Sequence, residues 1–457
     1  MCLNERSTER VPIQEELSVQ GANRLAIVLM TVALTGGEAL AQPQAALVPA
    51  PAPSPHIQGT YRLTLDDAKE RALANNRELT LARLNVMEKS FATSAAKRDY
   101  LPKLLGNVNY FHFNQALGKV ATFRTGNLGI LPPGTQTIAV NVVNQNASLA
   151  AITLAQPITK LIVINAAVQI ARADTEIASA QLDKGTRDLL SGVAQAFYAL
   201  HGASRIQAAL EMQVDFAGKL AQSNPKAEVR VAFIEAEQAL LQVRKQTSDL
   251  TGELNGLLDL PAGTELELVE PMPPAVPVIS ADEAVQYAMH SNPQIGEAQA
   301  NIEKARGALR IARAEYLPDV NIFGSYFNQT SASYIQPNFG ALGIAASYTF
   351  VDWGKRRQVK NQREMQIAMA QQNLQVTIGK IEREARTAYL GYEQAQQTLK
   401  LAGDMVEARK VAENGLIDPS EIQAAKTASA KAELEYMQAE IAYRVAHAQL
   451  MGVIRCP

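Results

Sequence analysis

Five histidines, His56, His112, His201, His290 and His447, are the side chains best suited to move a proton or hold a metal near neutral pH, but they lie far apart. None stands in an H-E-x-x-H or similar spacing, so none has a second ligand one helical turn away. They read as loop and surface residues. Ser94-Ala95-Ala96-Lys97 reproduces the S-x-x-K of some serine hydrolases. It falls in an amphipathic helical stretch without the companion motifs, and chance accounts for it. No phosphate loop is present. Cys2 and Cys456 stand at opposite ends, where they make neither a disulfide framework nor a thiolate metal site. No catalytic residue, cofactor-binding residue or metal ligand is therefore assigned, no cofactor is expected, and the chain does not read as an enzyme.

The elements that carry the remaining polar clusters begin with the export signal. Leu25 to Leu34 is a ten-residue apolar run, preceded by Arg24 and followed by Ala39-Leu40-Ala41. A positive flank, a short apolar core and a small-x-small site form the pattern of a secretory signal peptide, assigned to residues 1–41. Residues 42–62 follow as a Pro/Ala-rich arm, flexible or polyproline in character. The 457 residues carry 43 Lys+Arg against 45 Asp+Glu, a balance that excludes a basic nucleic-acid-binding face. A hydrophobic share of 47% excludes global disorder, and 5% aromatics with one tryptophan does not fit an aromatic-rich β-sandwich. No later stretch is apolar for long enough to make a transmembrane helix.

After the arm the chain repeats itself. Thr64-Leu65-Asp66-Asp67-Ala68 corresponds to Ser280-Ala281-Asp282-Glu283-Ala284. Tyr100-Leu101-Pro102 corresponds to Tyr316-Leu317-Pro318, and Tyr110-Phe111 to Tyr326-Phe327. One constant offset aligns them without a gap. Repeat 1 spans 63–260, a Pro-rich linker 261–278, and repeat 2 spans 279–457. Each repeat reads as a helix (about Asp66–Tyr100 and Asp282–Tyr316, with Thr64 and Ser280 as N-caps), then two short alternating segments, then a very long helix and a last helix. The long helices break at Ser223-Asn224-Pro225 and between Gly415 and Pro419. In the last helix Ile422, Ser429, Tyr436, Tyr443 and Leu450 recur every seven residues, with Ala425, Ala432, Ala439 and Ala446 three places on. That is a coiled-coil seam with alanine at every d position, which lets backbones approach closely.

The alternating segments lie around Leu104–Phe113, Ile138–Leu154, Val320–Phe327 and Leu342–Phe350. In the last, Leu342, Ile344, Ala346, Tyr348 and Phe350 share one face. Segments of this length suit transmembrane β-strands, and equally a soluble hairpin packed on the helices. Within lipid an open sheet edge is not tolerated, and four strands cannot close on themselves. Membrane-spanning strands would therefore force several chains into one barrel; three chains would supply twelve strands. Tyr348 and Trp353 would then belong to the interfacial aromatic girdle, or Trp353 packs only at the junction. Lys355-Arg356-Arg357 would sit near anionic head groups or form a solvated first turn.

The order of these motifs resembles the outer-membrane efflux protein family, the TolC-like channel subunits, over about residues 63–455. The carriers are the doubled helix opening, Tyr-Leu-Pro at each helix-to-strand junction, Gln156-Pro157 and Asp352-Trp353-Gly354 at the strand-to-helix junctions, and the closing run from Gly415 through Glu421-Ile422 and Ala425 to Leu450-Met451-Gly452. The resemblance implies a mainly α fold with a small membrane β part: a homotrimer whose four strands per chain build a twelve-stranded outer-membrane barrel, continued by a periplasmic α-helical barrel. It implies the exit duct of a tripartite efflux or type I secretion system, a passive channel in contact with outer-membrane lipid, a periplasmic adaptor and an inner-membrane transporter, with no nucleic acid involved. It also implies an acidic ring at the periplasmic aperture. Glu421, six residues beyond the tip glycine Gly415, matches that position; Ala424 stands where a second acid can occur. In the first half Gln222 replaces the tip glycine, and Glu228-Val229 resembles the acid–hydrophobe pair. Glu421 reads as well as the N3 residue of a capping box with Asp418 as N-cap and Pro419 at N1. The competing class is a secreted or periplasmic coiled-coil scaffold that never enters a membrane.

Overall fold

A computed structural model of the chain describes residues 61–115, 117–125, 134–223, 226–261, 263–270, 280–332, 334–413 and 419–454. The signal peptide, the arm up to residue 60 and half of the Pro-rich linker lie outside the described residues.

Each repeat opens with two helices where the sequence reads as one. Helix α1 (Leu65–Asn75) ends at Asn76, and α2 (Arg77–Arg98) begins there. The Asn76 backbone turns extended (ψ 123°), its N–H still bonding Ala72 O, while its side chain accepts from the Leu79 N–H at 2.9 Å. The second repeat does the same: α5 (Ala281–Ser291) stops before Asn292, whose side chain accepts from the Gln294 N–H, and α6 (Pro293–Ala314) starts on a proline. A residue preceding proline is pushed out of helical geometry, so this break was written in the Asn-Pro dipeptide. The helix starts are as the sequence indicates. Thr64 and Ser280 are both N-caps in reciprocal capping boxes, closed by Asp67 and Glu283.

The strands depart from expectation in number. The segment read as Ile138–Leu154 is the end of one strand and most of another. After β1 (Tyr61–Leu63), the first repeat carries β2 (Lys103–His112), β3 (Leu117–Thr125), β4 (Gly134–Val143) and β5 (Asn146–Pro157). Strands β3 and β4 pair only with each other, as a hairpin inserted between β2 and β5. Strand β6 (Leu266–Leu268), inside the expected linker, pairs in parallel with β1, at the end of the expected arm. Three-residue strands carry no readable period. The second repeat supplies β7 (Asp319–Gln329) and β8 (Asn338–Ser347).

One four-stranded antiparallel sheet results, in the order β2-β5-β7-β8. Repeat 1 joins repeat 2 through β5 and β7, and β2 and β8 are left as open edges. No closed barrel forms among the described residues of the chain. The register decides what each face carries. Leu104, Leu154, Gly324 and Leu342 lie in one row across the sheet, and Gly106, Ile152, Tyr326 and Gly340 in the next but one. Leu104, Val108, Tyr110, Leu154, Ile152, Tyr326, Ile322, Leu342 and Ile344 all fall on that single face and are all exposed, Leu342 at 87%. The opposite face carries Lys103, Asn107, Asn109, Thr153, Ser325 and Gln329, with Thr153 and Ser325 hydrogen-bonded at 2.8 Å. Phe323 lies on that face over Gly343, where a Cβ would come within 2.7 Å of the ring.

From the sheet the chain passes into α3 (Lys160–Ser223) and α4 (Ala227–Leu257), and in the second repeat into α7 (Lys355–Glu413) and α8 (Pro419–Ile454). Helix α3 has 64 residues, about 96 Å at 1.5 Å per residue. Packing is side by side. Next to the sheet the order is α2, α3, α6, α7; beyond it, α4, α3, α8, α7. Thus α2 and α4 occupy one column, α6 and α8 another, and each half of the chain supplies two columns. Of the expected alanine seam, Ser429, Ala432, Ala439 and Leu450 of α8 are buried, Ala425, Tyr443 and Ala446 are partly covered, and Tyr436 is exposed. The largest core gathers midway along α3, where α1, β1 and β6 cover Leu189, Val193 and Phe197 together with Leu254 and Leu258. Helix α5 makes a matching contact with α7 and the end of α8, around Ile381, Ala385 and Tyr392. Elsewhere the helices form one layer, and large apolar side chains on the edge columns, such as Leu81 and Phe91 of α2 and Met369 and Leu390 of α7, remain exposed.

Candidate functional site

Among the described residues, the sequence does not gather a base, a nucleophile and an electrophilic partner in one place. What the sequence concentrates instead is the turn from β8 to α7. Asp352 caps α7: its carboxylate accepts the Gly354 N–H at 3.1 Å and the Arg356 N–H at 3.0 Å. These bonds, the Arg356 N–H foremost, hold its carboxyl below the usual carboxylate range. The Arg356 guanidinium stays with Asp352 at 3.4 Å, donates to Thr349 O at 2.9 Å and lies over the Tyr348 ring at 5.1 Å. Tyr348 in turn meets Phe350 edge to face at 5.2 Å. The spacing Asp352 to Arg356, one helical turn, signals this bond in the sequence, where the two residues stand in the junction motif and the basic run without being paired.

The turn is made by two residues in the left-handed region, Trp353 at φ 54° and Gly354 at φ 83°. Glycine takes that conformation freely; tryptophan does not. The strained backbone presents the indole to the outside, 95% exposed. Tyr348 and Trp353, paired in the sequence reading, therefore share this turn, Tyr348 half-covered beneath Arg356 and Trp353 uncovered. Phe350 and Val351, 88% and 66% exposed, complete the patch.

The aperture residues are placed less fully. Glu228 is exposed in the first turn of α4, just past the α3–α4 turn, and Lys226 before it makes no side-chain cap bond. Glu421 falls in the first turn of α8, and its side chain lies outside the described residues, as do Asp418 and Gly415. The capping box of Asp418 and Glu421 likewise falls outside the described residues.

One polar constellation had no sequence signal. Glu440 of α8 meets Arg205 of α3 at 3.0 Å and its own Arg444 at 2.6 Å, while Arg444 lies over the Tyr198 ring at 6.0 Å. Gly202 faces Ile441 at the same crossing. His201 beside it is lowered, first by burial and then by Arg444 and Arg205. Arg205 and Glu440 belong to different repeats, which no local pattern could join.

Among known proteins, residues 284–454 match the family model described as outer membrane efflux protein. The match takes in the second repeat from within α5 to the end of α8. The remainder shares the fold of solved channels of that type. The chain superposes on a membrane protein of Pseudomonas aeruginosa with TM-score 0.68 and 15% identity, covering 85% of this chain and 93% of that one. It superposes on the open-state MtrE outer membrane channel of Neisseria gonorrhoeae with TM-score 0.69 and 14% identity, over 85% and 88% of the two chains. For the outer membrane protein VceC of Vibrio cholerae the TM-score is 0.64 at 13% identity, over 85% and 95%. No curated protein matches the sequence significantly. The match ends on α8, so the seam, the β8–α7 turn and the α7–α8 turn all lie inside the matched stretch.

Proposed function

We propose that three copies of this chain form the outer-membrane exit duct of a tripartite efflux or type I secretion system, a passive channel reaching into the periplasm. The observation that carries this reading is the four-stranded sheet: one face carries a band of exposed apolar side chains with polar residues toward its ends, the other is mixed, and both edges are open. In water such a face is a liability, and in lipid such edges are untenable unless paired. Pairing β8 of one copy with β2 of the next satisfies both conditions, and twelve strands close a barrel with the apolar face outward and the polar face inward. The helical layer has the same two open sides, α2 and α4 on one and α7 on the other, so one symmetry operation closes both parts. No helix among the described residues is long and apolar enough to cross a membrane.

The adaptor and the inner-membrane pump follow from the family reading, and the substrate is the pump's to choose. At the far turns, Glu421 from three chains narrows the aperture, with Glu228 on α4 the candidate of the first repeat and Asp418 and Gly415 candidates outside the described residues. Purified protein in planar bilayers tests the channel, with discrete conductance steps expected. Glu421→Ala should raise the conductance and weaken cation preference; unchanged values would remove Glu421 from the aperture. Recovery in the soluble periplasmic fraction without detergent would favour the coiled-coil scaffold instead.

A further inference from the structure

The β8–α7 turn holds more than an aromatic anchor. Exposed apolar side chains continue from Leu342 and Ile344 of β8, 87% and 72% exposed, to Phe350 and Trp353 in the segment that follows the strand. Immediately beyond it, Lys355 and Arg357 are exposed in the first turn of α7. Neither has a carboxylate partner among the described residues. Around the four junctions between sheet and helices, Asp99 holds Lys103 at 3.1 Å, Asp319 holds Lys160 at 3.1 Å and Asp352 holds Arg356 at 3.4 Å. Glu364 holds Lys360 at 3.5 Å and Arg313 at 3.8 Å. Among the described residues this leaves Glu315 against Lys355 and Arg357, with Lys97 and Arg98 adding to the excess at the end of α2. The capping needs of α7 are met by Asp352, so the two free cations serve no helix terminus. They are instead unfavourable at the positive end of a helix dipole.

We infer that Trp353, Lys355 and Arg357 form a docking surface for an anionic phospholipid of the periplasmic leaflet, with Phe350 and the indole of Trp353 against the acyl boundary and the two cations on the phosphate. The inference rests on the duct reading, which places the apolar face in lipid. Charge complementarity selects the occupant: an apolar patch ending in two unneutralised cations fits a headgroup of net negative charge and gains nothing from a zwitterionic one. The strained backbone at Trp353 is what holds the ring at that boundary.

Trp353 is the only tryptophan of the chain, so its fluorescence reports this surface alone. The full-length trimer, inserted in vesicles, would be titrated with brominated phosphatidylglycerol or brominated phosphatidylcholine. Quenching should favour the anionic lipid, the preference falling about fivefold for each charge removed in Lys355→Gln and Arg357→Gln. In the double variant both lipids should quench alike. Millimolar inorganic phosphate should leave the preference intact; abolition by phosphate would mark a free-anion site and overturn the lipid assignment. Equal quenching by both lipids in the unaltered protein, or a preference that survives the double substitution, would also overturn it. Absence of quenching in protein that remains in the membrane fraction would defeat this inference alone. Failure to enter membranes at all would defeat the duct reading.

Discussion

A methyl group added at Gly202 would lie 2.1 Å from Ile441 Cγ1, closer than any atom tolerates. Glycine is needed there because α3 and α8 cross at that point with Glu440 and Arg205 beside them. Gly202→Ala should destabilise the fold by about 1–3 kcal/mol, as overpacking does. Urea titration checks this, and Ile441→Val in the same chain should recover part of the loss. At the other end of the layer, Asp352→Ala should speed amide exchange at Gly354 and Arg356, whose N–H groups lose their acceptor. Glu283 closes its capping box with its carboxyl held low, chiefly by the Ser280 backbone N–H. A lowered acid stabilises above its unfolded pKa, so this contribution should vanish as the pH falls below the ordinary glutamate range. Much at this scale was legible: caps, seams and the Tyr348–Trp353 pair are local patterns. The Arg205–Glu440 pairing was not, because its partners are 235 residues apart and nothing local marks either.

Among elements, the doubled helix opening was readable and its break was not read, although Asn292-Pro293 announces it and Asn76 repeats it without the proline. The β3–β4 hairpin was missed for a different reason. Its strands alternate imperfectly and run into β5 after two residues, so Ile138–Leu154 looked like one segment. The junction of α3 with α8 carries a pH signature. His201 is lowered, so the unfolded chain binds its proton more tightly than the folded one. Stability should therefore decline as the pH falls through the unfolded histidine value near 6.5, before levelling below the folded value. Arg205, Arg444, Glu440 and Glu270 are the charges acting on it, so the comparison must be with a variant rather than with another pH. In His201→Gln the drop in thermal midpoint between pH 7.5 and pH 5.5 should be smaller than in the unaltered protein.

For the whole molecule, the two faces of the sheet give opposite forecasts. Leu342→Arg places a charge in mid-strand on the apolar face, where lipid exacts about 2–4 kcal/mol. Membrane-inserted trimer should fall sharply. Asn107→Arg, on the opposite face, should assemble normally and alter conductance and ion preference. A soluble hairpin would accept Leu342→Arg readily, because that side chain is already exposed in a single chain. Sequence alone left membrane strand and soluble hairpin balanced, since each strand's pattern is weak. The registered sheet gathers Leu104, Val108, Ile152, Leu154, Ile322, Leu342 and Ile344 of both repeats on one side, which supports the membrane reading, while Leu105, Phe111, Phe323, Phe327 and Phe339 fall on the other.

The open edges are the heart of the matter, and cysteine cross-linking reads them directly. With Cys2 and Cys456 replaced, one cysteine would be set at Val108 on β2 and a second, in turn, at each position from Ala341 to Ala346 on β8. Oxidation in native membranes should give a covalent ladder of one, two and three chains that stops at three, from at least one register. A ladder that never forms at any register, or one that continues past three, would contradict a barrel closed by three copies.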